Sequence, residues 1–380
     1  MKIACISTSR VPSDTANSIQ VMKACHGLAR LGYSVHLLLP GEEHADWDAL
    51  AEHYGLSTPF EISWLPANPR LKRNDFAWNA LRRAQKLGAK LVYTWTGQTA
   101  VFALLAKMPV IYEVHDLPTG RFGPLWFRAF LRLNGKKRLL PITQALLERL
   151  ENSYGAAARR DSVIAPNGVD LEPYEDLPDP SAARQALHLP PRATVLCAGH
   201  LYAGRGVDLF LGLAERFPAA SFVWVGGRPE DVETQRARSS AADLANVTFT
   251  GFVNQRRLPC YQAAADVLLM PYARSIAGSS GGNSAEICSP MKMFDYLAAG
   301  RAILSSDLPV IHEILNPKNA RFAPPEDLDG WTEALRLLLE DAPLRQRLAG
   351  QARSDAAAYG WTARARKAMD GFFDPPKLSE

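Results

Sequence analysis

The sequence predicts an α/β fold of two Rossmann-like parallel-sheet domains facing across a cleft, and three observations carry that expectation. Short apolar runs alternate with amphipathic stretches almost from end to end, the pattern left by parallel strands joined through helices. A chain of 380 residues can bury two substantial cores. One Pro-rich stretch, 173–191, interrupts the series and reads as a hinge linker between a first domain over 1–172 and a second over 192–357.

The elements follow in order. Residues 3–7, 34–39, 91–94, 110–114 and 139–142 are compact apolar runs and read as the strands of the first sheet. Residues 20–31 have helical spacing, with Gly32 as their stop. Residues 194–198, 221–225, 247–250, 267–270 and 302–305 form the second series of strands. Ligands of such sheets sit beyond the carboxyl ends of the strands.

Composition excludes several classes. No apolar run reaches membrane-spanning length, since Gln98 and Lys107 interrupt the best candidate, 91–114. The opening MKIACISTSR reads as a first strand rather than a signal peptide. Five scattered cysteines without a CxxC pair fit buried thiols in a reducing compartment, so the expected location is cytoplasmic. Charge is uneven: residues 62–147 hold fourteen Lys and Arg against three acids, Asp75, Glu113 and Asp116. That imbalance points to an anionic partner for the first domain, or to a solvated basic face.

The most informative segment is SPMKMFDYLAAG, residues 289–300. Ser289 and Pro290 are helix-start residues, Gly300 is a stop, and Phe294, Leu297 and Ala298 form an apolar stripe. Lys292 stands in the first turn, where the helix dipole favours an anion instead. A cation beside free N–H groups reads as half of a phosphate site. Asp295, three residues on, shares its face and can accept from a sugar hydroxyl. A local Lys292–Asp295 ion pair on a solvated helix is the rival reading. Upstream, CAGHLYAGRG (197–206) follows a strand and opens a helix. Its glycines 199, 204 and 206 permit tight turns, and Arg205 offers two donors to phosphate oxygens.

The segment 289–300 resembles the SPxKxFEYxAxG donor-site helix of family 4 glycosyltransferases, which have the GT-B fold. Residues 197–206 resemble that family's GRlxxxKG segment, and SVIAPNGVD (162–170) resembles its vipNGVD crossing between domains. Tyr359-Gly360-Trp361 with the following stretch resembles its closing helix, about 358–376, which packs back on the first domain. The resemblance implies a retaining transfer of sugar from a nucleotide-diphosphate donor (UDP- or GDP-sugar) to an acceptor hydroxyl, in glycan or glycolipid synthesis. It also implies roles. Asp295 would bind the ribose, and Ser289, Met291, Lys292 and Arg205 the diphosphate with Gly199. His200 replaces the pattern's usual Arg, which removes one permanent charge. Backbone atoms of Phe252 and Val253 would read the base. His115, in YEVHDL (112–117), matches the family's xxHD segment, where His contacts the donor sugar; alone it reads as a structural hydrogen-bonder. Asn17 and Ser18 occupy the place of the Gly-rich first loop, with helix capping as the alternative. The first Glu of the family's E-x7-E pattern is missing in register, where Ile287 stands beside Glu286. Residues 277–284 (AGSSGGNS) read either as a loop over the donor or as plain surface.

Asp46-Trp47-Asp48 matches a metal-holding DxD formally, yet its acids suit the start of a helix. No metal or other cofactor is therefore expected; the nucleotide-sugar is a substrate, and Arg205 and Lys292 supply the positive charge. Residues 121–138 contain six cations and no acid. With Phe122, Trp126, Phe130 and Leu133 on one face, they read as a peripheral membrane contact toward a lipid-linked or glycan acceptor, or as a helix packed on the first sheet. Two rival functions stand beside the transferase: a GT-B nucleotide-sugar epimerase, and a basic binder of nucleic acid or anionic surfaces. No nucleic-acid motif is present, so no such partner is expected.

Overall fold

The computed structural model describes residues 1–42, 45–71, 73–276 and 283–373. In chain order it begins with β1 (Lys2–Ile6), α1 (Ala16–Arg30), β2 (Ser34–Pro40), α2 (Trp47–Tyr54), β3 (Glu61–Leu65) and α3 (Asn74–Lys86). There follow β4 (Leu91–Thr94), α4 (Gly97–Leu105), β5 (Val110–Val114), α5 (Gly123–Arg132), β6 (Lys137–Pro141), α6 (Gln144–Tyr154) and α7 (Ala157–Arg160). The second half holds α8 (Pro180–Ala186), β7 (Thr194–Ala198), α9 (Val207–Arg216), β8 (Ser221–Val225), α10 (Pro229–Ala241) and β9 (Val247–Phe249). It continues with α11 (Leu258–Ala263), β10 (Val267–Met270), α12 (Met291–Ala299), β11 (Ala302–Ser306) and β12 (Arg321–Ala323). The chain closes on α13 (Leu328–Glu340), α14 (Ala342–Ala356) and α15 (Trp361–Met369).

Two compact units result. One comprises residues 1–167 together with the chain from Trp361 onward; the other comprises 168–360. The first holds a six-stranded sheet in the order β3-β2-β1-β4-β5-β6, the second one in the order β12-β11-β10-β7-β8-β9. All strand pairs are parallel. Each order reverses once, at β1/β4 and at β7/β10, and such a switch point is where α/β sheets open a binding crevice.

The central strands lie where their apolar runs predict, because both faces are covered. β7, β8 and β10 are buried along their whole length. The second core stacks Phe210 edge-on to Phe222 and Trp224, with centroids 5.4 and 5.2 Å apart. Strands β3 and β12 escape the sequence reading. Both are edge strands, so EISWL and RFA carry polar residues that a central strand would not.

Three boundaries differ from expectation. Helix α1 begins at Ala16, because the Thr15 side chain accepts from Ser18 N and caps it. Helix α12 begins at Met291, with Pro290 rather than Ser289 as the extended N-cap residue. The 173–191 stretch carries a helix of its own: α8 buries Ala183 against Ala263 and Ala264, and Arg184 pairs with Asp266 at 2.9 Å. Its apolar side makes it part of the second unit. The DxD acids act as helix starters, with Asp46 Oδ2 accepting from Asp48 N at 3.1 Å.

Helix α15 lies against α1 of the first unit, and Gly27 makes this approach possible. A Cβ there would sit 2.6 Å from the Trp361 carbonyl oxygen.

Candidate active site

In the second unit the switch point is built from glycines. The loop after β7 runs close to the segment after β10, and three of its residues need positive φ: Gly199 at 129°, Gly204 at 81° and Gly206 at 84°. A Cβ on Gly204 would lie 2.1 Å from the Ser275 carbonyl oxygen, and one on Gly206 1.9 Å from that of Pro271. The loop is also tied to β8, since Trp224 Nε1 donates to Gly199 O at 2.8 Å and Gly199 N to Val225 O at 2.8 Å. Gly206→Ala is therefore expected to displace the loop, with a cost above the roughly 1–2 kcal/mol of left-handed strain alone. Thermal unfolding checks this, and an unchanged melting temperature would contradict it.

Tyr296 fixes α12 over the same switch. Its buried hydroxyl accepts from Ala198 N at 2.8 Å and donates to Leu269 O at 3.2 Å, joining the ends of β7 and β10. Burial, with Cys197 close by, pushes the Tyr296 phenol well up, so it stays neutral. Tyr296→Phe leaves a buried N–H and C=O without it, at a cost of about 1–3 kcal/mol measurable by urea unfolding.

Lys292, in the first turn of α12, faces this loop. Its Nζ lies 3.7 Å from Cys197 Sγ and 5.0 Å from the Tyr272 ring centroid, and would touch a Cβ on Gly199 at 3.3 Å. The Arg205 guanidinium lies 5.1 Å from the same Tyr272 ring. Two permanent cations thus share one aromatic ring beside a glycine loop and a helix N-terminus. The contacts of Lys292 run to Cys197, Tyr272 and Trp224, while the Asp295 carboxylate faces the Tyr174 hydroxyl. Burial pushes the Cys197 thiol up despite Lys292, so it brings no negative charge. This arrangement is suited to an anion.

Asp295 lies half-buried on the next turn. The Tyr174 hydroxyl is within reach of its carboxylate and of Gln262 Oε1 at 2.9 Å, and burial followed by Asp295 pushes that phenol well up. The His200 ring stacks on Tyr202, centroids 4.9 Å apart at 11°. Phe252 and Val253 follow the edge strand β9, two strands from β7, where Gly226 and Gly251 form a bridge. Ser289 and Met291 stand at the start of α12, and Ile287 is buried. Most of the 277–284 loop lies outside the described residues.

The first unit carries the other candidates. His115 follows β5, and its Nε2 lies 2.6 Å from Glu113 Oε1. Glu113 is fully buried and also accepts from Arg364 Nη2 at 2.7 Å, from the Tyr93 hydroxyl and from Gln20. Burial alone would raise its pKa, but Arg364 and then His115 outweigh it and bring it down to about 2. Arg364 in turn donates to Pro166 O at 2.8 Å and Ala165 O at 3.1 Å. The carboxylate therefore fixes the imidazole that extends past the strand end. Asn17 is exposed in the first turn of α1, and Ser18 bonds the Tyr54 hydroxyl at 2.5 Å.

The structure gathers Gly199, Arg205 and Lys292 at one switch point, with Asp295 on the next turn of α12, and sets His115 and Asn17 in the first unit. Tyr272, Tyr296, Glu113 and Arg364 have no counterpart in the sequence reading. Among the described residues no group of three His, Cys, Asp or Glu could hold a metal ion.

Two parallel-sheet units of this order define the GT-B class. The comparisons agree: sucrose-phosphate synthase from Thermosynechococcus elongatus superposes with a TM-score of 0.74 at 18% identity, covering 96% of each chain. Anabaena HepE in complex with UDP gives 0.74 at 17% identity, over 98% of this chain and 99% of that one. The Glycosyltransferase Family 4 model matches residues 18–173, and the Glycosyl transferases group 1 model matches 192–341. Phosphatidyl-myo-inositol mannosyltransferase of Mycolicibacterium smegmatis is 26% identical over 359 residues, 90% of this chain and 86% of that protein. The chain belongs to glycosyltransferase family 4. It is a retaining glycosyltransferase that draws on a nucleotide-sugar donor.

Proposed function

We propose that the second unit holds a UDP- or GDP-sugar with its diphosphate between Lys292, Arg205 and the start of α12. The observation that carries this reading is the pair of cations sharing the Tyr272 ring beside the glycine loop after β7. Ser289 and Met291 add the helix N-terminus, Gly199 gives close backbone approach, and His200 flanks the loop. Asp295, oriented by Tyr174, takes the ribose hydroxyls. Backbone atoms of Phe252 and Val253 contact the base. In the first unit, His115, held by Glu113, is the group suited to a sugar hydroxyl, and Asn17 to the acceptor or a phosphate.

In the reaction the bond from the anomeric carbon to the diphosphate oxygen breaks, and one to the acceptor oxygen forms on the same face. Negative charge grows on the departing diphosphate, where Lys292 and Arg205 stabilise it in place of a metal ion. The acceptor proton passes to a departing phosphate oxygen, so no second carboxylate is needed. A glycan or lipid-linked hydroxyl is the acceptor; the mannosyltransferase relative carries a lipid in its name, which supports the latter.

A thermal-shift screen with UDP, GDP, ADP and their sugar conjugates, with and without EDTA, tests the reading. One nucleotide should raise the melting temperature independently of EDTA. No shift at millimolar concentration would overturn the donor site.

A further inference from the structure

The first unit has a surface that the sugar-transfer reading leaves unused. Helix α4 packs against both α3 and α5, and their outer side chains form one aromatic line. Trp78 of α3 meets Phe102 of α4 edge-on at 6.1 Å, and Phe102 meets Trp126 of α5 edge-on at 5.6 Å. On α3 and at the start of α5, Trp78, Phe122 and Leu125 are 53%, 42% and 54% exposed, and Leu105 at the end of α4 is exposed as well. Large apolar side chains are rarely gathered so at a water-facing surface without a partner.

The charges on the three helices are positive with one exception. Arg82 and Lys86 follow Trp78 at four-residue spacing, and Arg128 and Arg132 continue the Leu125 side of α5. All four are exposed. The single acid on the three helices is Asp75 in the first turn of α3, which accepts from Asn68 N at 2.7 Å. This departs from the face expected from 121–138 alone. Phe130 and Phe127 are in the core against Tyr112, so only Phe122 and Leu125 of that stretch stand out, and Trp78 joins them from α3.

We propose that this three-helix face docks the first unit on an anionic bilayer surface. Trp78, Phe122 and Leu125 enter the headgroup region, and Arg82, Lys86, Arg128 and Arg132 reach lipid phosphates. Charge complementarity selects this occupant. A second copy pairing face to face would set like charges against each other. The proposal is independent of the donor site and extends the reading to where the acceptor is met.

Co-sedimentation of the full chain with vesicles of phosphatidylcholine, alone or mixed with phosphatidylglycerol, tests it. The chain should pellet with the mixed vesicles only, and high salt should release it. R82E/R128E should weaken partitioning about tenfold or more, and W78S/L125S should weaken it while keeping the melting temperature. Failure of the chain to pellet, or binding by both variants equal to the parent's, would overturn the proposal. So would a concentration-dependent dimer lost in W78S/L125S without vesicle binding. The nucleotide-induced thermal shift, read on the same samples, reports separately on the donor site.

Discussion

Lys292→Met should lower kcat/KM for the donor about 100-fold or more while leaving the fold intact. The magnitude is that of removing one group aimed at charge developing in a transition state. The fold should survive because the Nζ makes only a weak contact to Cys197 Sγ and ring contacts to Tyr272 and Trp224. Methionine keeps the stem and removes the charge. The melting temperature without ligand should therefore stay close to the parent's, while the nucleotide-induced shift shrinks. Donor kinetics and thermal unfolding on one preparation check both halves. An enzyme with normal kcat/KM would show that the diphosphate lies elsewhere.

Glu113→Gln should destabilise the first unit by about 3–5 kcal/mol, since it leaves Arg364 a buried cation without its carboxylate. The pH dependence follows from the same pair. The Glu113 pKa is depressed from 4.5 to about 2. Its contribution is therefore complete above the ordinary carboxylate range and is lost as pH falls toward 2. Urea unfolding as a function of pH should show the parent losing an increment below about pH 4.5 that Glu113→Gln never had. The double variant Glu113→Gln/Arg364→Met should recover part of the loss, because it removes the stranded charge as well. Equal stability of parent and Glu113→Gln at neutral pH would contradict the account.

What the sequence made legible has a physical pattern. Helix α12, its Gly300 stop and the buried strands β7, β8 and β10 are local or fully covered, so composition and spacing alone express them. Gly204 and Gly206 also speak locally, since the backbone crowding at Ser275 and Pro271 leaves no room for a side chain. The groups that orient the site are different in kind. Tyr296 matters because Ala198 and Leu269 happen to end beside it, and Glu113 because Arg364 returns from the far end of the chain. No window of sequence contains both partners. Tyr272 is intermediate: an aromatic just past the end of β10 is a visible signal, but its two cations come from separate elements, the loop after β7 and the first turn of α12. The edge strands β3 and β12 were hidden by their own half-exposure.

Two cations at the β7/β10 switch should hold the diphosphate of a sugar donor without a metal ion. Isothermal titration of UDP and GDP into the parent chain and into Lys292→Met, each with and without EDTA, tests it most directly. One nucleotide should bind the parent at a single site regardless of EDTA, with affinity weakened about tenfold or more by the substitution. Binding that needs a divalent cation, or that Lys292→Met leaves unchanged, would contradict it.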